Sequence, residues 1–291
     1  METARCRALV YAAELGSITK AAERMNYTPS AVSQLIQAME TEMDLQLLHR
    51  SKRGVALTEE GKKIIPSVKE LLRQEERIDQ LTAQIHGLET GTVRIAAYSS
   101  VATHWLPEVL RAFQTDYPGI EITLAEGIRQ EVEGWLADRQ ADLAFMTYME
   151  PMPYEWIFLA EDPMMAVLHP SHPLAKEKAY PLRACEEEPF IMPAQGMDED
   201  VNRMIRENGL SLNIAFQTLE NFSCIAMIEQ NLGMSIMNRL ITKRQDYDVV
   251  MLPLDPPQHI RFGIAVHSLE SASPAVRRFV DYAVRMLGQE K

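Results

Sequence analysis

The chain has 291 residues, 46% of them hydrophobic and 24% charged, with 29 basic against 41 acidic side chains. That length allows two or three domains with sizeable cores, and the composition excludes disordered and collagen-like classes. No stretch approaches the roughly 20 apolar residues of a membrane span, no signal-peptide run opens the chain, and Cys6, Cys185 and Cys224, odd in number and far apart, fit reduced thiols better than a disulfide framework, so a cytoplasmic protein is expected.

Residues 2–14 read as a helix with a small-residue face at Ala4, Ala8, Leu9, Ala12 and Ala13, ended by Gly16. Ser17 caps a second helix whose inner face is Ile18, Ala21, Ala22 and Met25; Asn26 and Tyr27 interrupt it. Thr28-Pro29 then reads as an N-cap followed by proline at the first helical position, where its missing N–H costs nothing. The third helix turns Ala31, Val32, Leu35, Ile36 and Met39 inward and shows Ser30, Ser33, Gln34 and Gln37 on its other face. Such a pair is either an ordinary helical hairpin or a helix-turn-helix. Residues 47–58 favour the second, because they read as a β-wing with a turn at Gly54 and a basic tip of Arg50, Lys52 and Arg53. Cations there suit a phosphate backbone, whose counterions they release. Ser17 and Lys20 also spell the Ser-x-x-Lys of acylating hydrolases, but the partner motifs are missing and the serine already caps a helix.

A long helix is expected over residues 58–86. Ile64, Val68, Leu71, Ile78 and Ile85 follow the three-four alternation of a coiled-coil seam, broken at Glu75 and Thr82. This helix either packs on its own domain or pairs with a second copy; Pro66 is expected to kink or delay it, and Gly87 and Gly91 stand at its end like hinge residues.

The pattern then becomes α/β. Strands are expected at 93–98, 120–124 and 142–146, with helices at 102–116 and 128–139 between them, which implies parallel pairing by right-handed crossovers. Ligands in such sheets sit beyond the carboxyl ends of the strands. Ser99, Ser100 and Val101 lie there after the first strand and Thr147 after the third, and the serines fit either a polar head group or plain helix capping. A second half follows, with strands at 164–168, 189–192, 214–218 and 260–267, helices at 198–208, 222–231 and 274–287, and a turn at 169–174.

Enzyme chemistry is thin. His169 and His172 fall in a proline-rich turn with nothing to complete a metal site, and no phosphate loop, nucleophile elbow or zinc-protease motif is present. No catalytic residue, metal or cofactor is expected. The seventeen methionines read as flexible core filling, some of them around an adaptable pocket.

Ser17 with Ala21-Ala22, Pro29-Ser30-Ala31-Val32-Ser33, Ile36, Glu40, and Arg50 through Leu57-Thr58-Glu59-Glu60-Gly61 together resemble the start of a LysR-type transcriptional regulator. The likeness is dense over residues 1–65 and continues more diffusely to the C-terminus. Asp44 stands where the family usually has glycine, Leu48 where it has phenylalanine, Gln34-Leu35 where many members carry an arginine, and Asn238 where proline is common. The resemblance implies a multidomain α/β protein: a winged helix-turn-helix over 1–58, a dimerising linker helix over 59–90, and an effector-binding domain over 91–291. That last domain would have two α/β lobes similar to periplasmic solute-binding proteins, one of 91–161 with 268–291, the other of 162–267. DNA would meet Thr28, Pro29, Ser30, Ser33, Gln34, Gln37, Arg50, Lys52 and Arg53. A small-molecule effector would meet Ser99, Ser100, Val101, Thr147, Gln195, Thr218 and Asn221. Double-stranded DNA, the effector and further copies in a homodimer or homotetramer are the implied partners, with RNA polymerase left open. Charge agrees: up to Thr90 the chain holds 12 basic and 13 acidic residues, and beyond it 17 and 28, so the acidic excess lies away from the DNA-facing part. The competing classes are a solute-binding protein, which the missing signal run opposes; a small α/β enzyme, which the missing catalytic constellation opposes; and a constitutive DNA-binding protein, which the sequence leaves open.

Overall fold

The computed structural model describes residues 2–51, 54–86, 89–243 and 246–288, so Lys52, Arg53 and Gly87 lie outside the described residues. Two compact units follow one another, Met1–Leu88 and Glu89–Lys291.

In the first unit, α1 (Thr3–Leu15), α2 (Ile18–Met25) and α3 (Pro29–Met43) bury Leu9, Ala12, Ala21, Val32, Ile36 and Met39 against one another. Small side chains on α1 let the helices approach closely. Gly16, Asn26 and Asp44 end them in left-handed backbone, so Asp44 supplies the geometry of the glycine it replaces. The hydroxyls of Ser17 and Thr28 accept from Lys20 N and Ala31 N as expected of caps.

Strands β1 (Leu48–Ser51) and β2 (Gly54–Leu57) form the antiparallel wing. The wing is clasped to the helices by hydrogen bonds to its backbone and to the segments flanking it. One Glu40 carboxylate oxygen accepts from Leu47 N at 2.8 Å and Leu48 N at 3.1 Å. Thr58 Oγ1 donates to Gln46 O at 2.7 Å and accepts from Gly61 N at 2.9 Å. Val55 N donates to Gly16 O at 3.0 Å. Glu40, which the sequence marks only as part of the family pattern, is therefore a structural acceptor. A Cβ at Gly54 would run into Gly16 O, and one at Gly61 into Leu47 O.

Helix α4 (Glu59–Ile85) starts on the Thr58 cap and is continuous across Pro66, contrary to the expected delay. The proline ring is on the exposed side, where water can take the carbonyl it leaves unbonded. The seam divides in two. Val68 is buried, and Ile64 and Leu71 pack on the core of the first unit, whereas Ile78 is 63% and Ile85 83% exposed.

The second unit is built on β3 (Gly91–Ala97), with α5 (Ser99–His104) and α6 (Leu106–Asp116), β4 (Ile120–Glu126), α7 (Arg129–Ala137) and β5 (Leu143–Thr147) following in order. Strand β3 pairs in parallel with both β4 and β5. The expected single helix over 102–116 is split at Trp105, just before Pro107. Strand β6 (Glu155–Leu168), at 14 residues, is nearly three times as long as the strand expected at 164–168 and passes through both lobes. The later elements are β7 (Tyr180–Pro181), β8 (Pro189–Met192), α8 (Glu199–Asn208), β9 (Asn213–Gln217), α9 (Asn221–Glu229), β10 (Ser235–Asn238), β11 (Val250–Asp255), β12 (His259–Val266) and α10 (Pro274–Leu287).

The first part of β6 pairs with β12, and its last residues pair with β10 and β11. Strand β12 also pairs with β5, so it belongs to the sheet of the first lobe. From Phe262 onward β12 lies beside β5, a few residues ahead of the expected crossing near His267; a strand's sequence does not name its neighbour. At the crossing, buried Asp162 accepts from Asn238 Nδ2 at 2.8 Å and Leu240 N at 2.7 Å. Asn238, in place of the family's usual proline, therefore ties the two crossing segments together. His172 is less exposed than its turn suggested: Glu188 bonds His172 Nε2 and the Tyr180 hydroxyl, both at 2.7 Å. All three cysteines are buried and unbridged, and no described helix is long and apolar enough to cross a membrane.

Candidate functional site

The first unit presents its polar face on α3. Thr28, Pro29, Ser30, Gln34 and Gln37 are exposed along it. Thr28 Oγ1 lies 3.1 Å from Ser30 Oγ and also caps Ala31 N, so its role is to start the helix and hold the serine. Ser33 is half-buried, and its oxygen accepts from Arg50 Nη1 at 2.7 Å. Helix and wing are thus joined at this face, a contact that spacing alone did not announce. Tyr27, 49% exposed, and exposed His49 extend the surface. Sequence reasoning took Tyr27 only as a break in apolar periodicity, although an exposed aromatic beside a helix cap was the available signal.

In the second unit, a cleft of about 370 Å³ opens between the lobes, lined by Ser99, Ser100, Arg129, Asp198, Asp200 and Asn221 among others. Of the residues expected for an effector, Ser99, Ser100 and Asn221 line it. Tyr98, not a serine, is the N-cap residue of α5, so the capping alternative for the two serines is set aside. Val101 is fully buried in the core of the first lobe, because the turn of α5 swings its side chain inward. Gln195 is exposed with left-handed backbone, its N–H bonded to Thr218 O, and the Thr218 hydroxyl donates to Glu220 O; neither side chain is on the cleft wall. Thr147 is fully buried beneath the cleft. Two wider grooves, of about 570 and 550 Å³, hold none of these residues.

The group that organises the cleft floor was missed: Arg129, at the start of α7 and 8% exposed. Its Nη1 donates to Glu133, and its Nη2 donates to Thr147 O at 2.6 Å and Thr147 Oγ1 at 2.8 Å. The Thr147 hydroxyl donates in turn to Asp200 Oδ2 at 2.9 Å. Threonine therefore relays between a first-lobe arginine and a second-lobe aspartate. Burial opposes the Arg129 charge, but Tyr98, Asp200 and Glu133 outweigh it and raise its pKa further. Burial raises the Asp200 carboxyl, with Arg129 and Thr147 pulling the other way. Asp198 is pushed up to about 6, first by burial and then by Asp200, while accepting from Asp200 N and Val201 N as the cap of α8. The available signal was an arginine and an Asp-Glu-Asp run, each opening a helix at a strand's carboxyl end.

Because Asp198 holds its proton more tightly folded than unfolded, its contribution is greatest below the unfolded value near 3.8 and is lost as pH rises through about 6. Asp198→Asn keeps the cap and removes the charge. Its melting temperature is expected to exceed that of the parent by about 2–4 °C at pH 8 and to match it near pH 4; a gain equal at both pH values would show that Asp198 carries no excess charge in the fold. Among the described residues, no group of three or more His, Cys, Asp or Glu is placed to hold a metal ion.

Comparison with known proteins covers both units. Residues 4–62 match the model described as bacterial regulatory helix-turn-helix protein, lysR family, and residues 86–288 match the LysR substrate binding domain. The HTH-type transcriptional regulator YvbU of Bacillus subtilis is 35% identical over 294 aligned positions, covering 100% of each chain. A full-length OxyR variant from Pseudomonas aeruginosa superposes with a TM-score of 0.81 at 17% identity, over 99% of this chain and 95% of that one. The regulatory domain of CcmR from Synechocystis in complex with 2-PG gives 0.64 at 20% identity, over 69% of this chain and 99% of that one. At those identities the two structures speak for the fold.

Proposed function

The chain belongs to the LysR family of transcriptional regulators, and on that premise we propose that it binds a pseudo-palindromic operator as a dimer or tetramer and is switched by a small effector held between the lobes of its second unit. The first unit is the DNA-binding domain and the second the effector-binding domain. The observation that carries the proposal is the cleft itself. Residues of both lobes converge in it around Arg129, Thr147 and Asp200, so a ligand there touches both sides of a chain crossing. A ligand that binds one degree of closure better than another shifts the population toward it, and the dimer's grip on DNA follows. Footprinting on operator DNA with and without a metabolite panel tests this. A compound that raises the melting temperature should also change the footprint, and thermal shifts that never alter the footprint would detach the cleft from regulation.

A single helix-turn-helix reads few base pairs, and a dyad of two reads half-sites about 34 Å or a multiple apart. Support for self-association comes from Ile78 and Ile85, exposed on the distal half of α4 at the seam spacing. Ile78→Glu with Ile85→Glu is expected to convert a dimer to monomer in sedimentation velocity without lowering helix content. A dimer that persists at micromolar concentration would move the interface elsewhere.

For DNA, Arg50→Ala should weaken specific and random duplexes alike and reduce the salt slope by about 1. Gln34→Ala, by contrast, should change sequence preference at one position, at a cost of about 1–3 kcal/mol against the preferred base. An Arg50 variant with an unaltered slope, or a Gln34 variant weakened uniformly, would exchange those roles.

A further inference from the structure

The charge on the cleft wall narrows the class of effector, an inference that rests on the sensor reading above. Six carboxylates line the cleft: Glu126 and Glu131 from the first lobe, and Asp198, Glu199, Asp200 and Glu220 from the second. Arg129 is the one cation among the described lining residues, and its own charge is already met by Glu133 and Asp200. Glu199 pairs with Arg206, and Asp200 with Arg203, which also donates to Tyr148 O of the first lobe. Glu126, Asp198 and Glu220 have no ion-pair partner among the described residues.

Two polar atoms in the same cleft are shielded from solvent and lack hydrogen bonds among the described residues. One is the Nε of Arg129, a donor on a side chain more than nine-tenths buried; the other is Asn221 Oδ1, an acceptor next to Glu220. Such orphaned atoms call for a partner that the fold does not supply. Their demands are complementary: an oxygen for the arginine, an N–H for the asparagine.

We infer that the effector is a small amine, protonated at neutral pH and bearing an oxygen acceptor, with its ammonium among Asp198, Glu220 and Asn221 and its oxygen at Arg129. An ammonium there makes charge-assisted bonds in a partly dry site and relieves repulsion between Asp198 and Asp200. An acid of the same size meets the opposite field. A bare divalent ion is disfavoured because the carboxylates do not converge into a metal-binding group. The cleft volume of about 370 Å³ suits a molecule of metabolite size.

The test uses the full chain at pH 8 in thermal-shift and calorimetric titrations. L-lysine, L-arginine, ethanolamine and glucosamine form the cationic set, and L-glutamate, succinate and gluconate the anionic one. At least one cation is expected to bind and stabilise the protein, with affinity falling about tenfold in Asp198→Asn, the loss of one charge-assisted bond. Asn221→Ala, at a second cleft position, should weaken the same compound. Tightest binding by an anion, lost in Asn221→Ala, would overturn the amine while leaving the sensor cleft in place. Cation binding unaffected by both substitutions would put the site elsewhere and overturn the inference. A shift by no compound of either charge would overturn it together with the sensor reading of this cleft.

Discussion

Gly61→Ala is expected to destabilise the N-terminal unit by about 3 kcal/mol, the upper part of the range for overpacking, because the added methyl meets backbone and not a flexible side-chain tip. The Cβ would be driven into the Leu47 carbonyl oxygen, with the Leu57 side chain close on the other side. Relief requires the start of α4 to move off the wing. That motion stretches the bond from Gly61 N to Thr58 Oγ1 and the bond from Thr58 Oγ1 to Gln46 O together. The same clasp holds β1 in register beneath Arg50, so DNA affinity should fall along with stability. Urea unfolding followed by helix signal, with Glu60→Ala as a neighbouring exposed control, measures the effect. A Gly61→Ala chain as stable as the control would show that the wing is held mainly by its apolar contacts.

The same clasp shows how far the sequence could be read. Caps, proline at the helix start and apolar spacing announced the three helices and the wing, because each depends on residues a few positions apart. The roles of Glu40, Thr58 and Gly61 were legible only as a family pattern, since their partners are backbone atoms of another segment. In the second unit, alternating strands and helices gave the parallel half around β3, where neighbours in sequence are neighbours in the sheet. The register of β12 between β5 and β6 was not legible, nor was the full length of β6. Long-range antiparallel pairing leaves no local mark, and alternating exposure in Glu155–Leu168 dilutes its apolar signal. For the cleft, the rule of polar residues just past strand ends led to Ser99 and Ser100, which line it, while Asn221 came only from the family resemblance. Thr147 came from the same rule but lies below the surface, and Arg129, which it serves and which also follows a strand end, was read only as part of the helix over 128–139.

Arg129→Ala is expected to cost the second unit about 3 kcal/mol, roughly 6–12 °C in melting temperature for a domain of this size, because it breaks a buried pair from one side. The arginine supplies three donor contacts, to Glu133, Thr147 O and Thr147 Oγ1. Without it, the Thr147 carbonyl is left without its guanidinium donor, and Asp198 and Asp200 face each other with Arg203, 3.5 Å from Asp200, as the remaining nearby cation. Both carboxyls are already raised by burial, and removing the cation raises them further. More protons are then bound folded than unfolded across the weakly acidic range, so the deficit should be smallest near pH 4 and grow as pH rises toward 8. Arg129→Lys restores a charge but not the planar fork, and it carries no Nε; it should recover part of the stability while leaving effector binding impaired. Equal loss in the alanine and lysine variants at every pH would mean that the side chain acts by filling space. A stability unchanged in both would remove Arg129 from the floor of the cleft and, with it, the link between the lobes through Thr147 and Asp200.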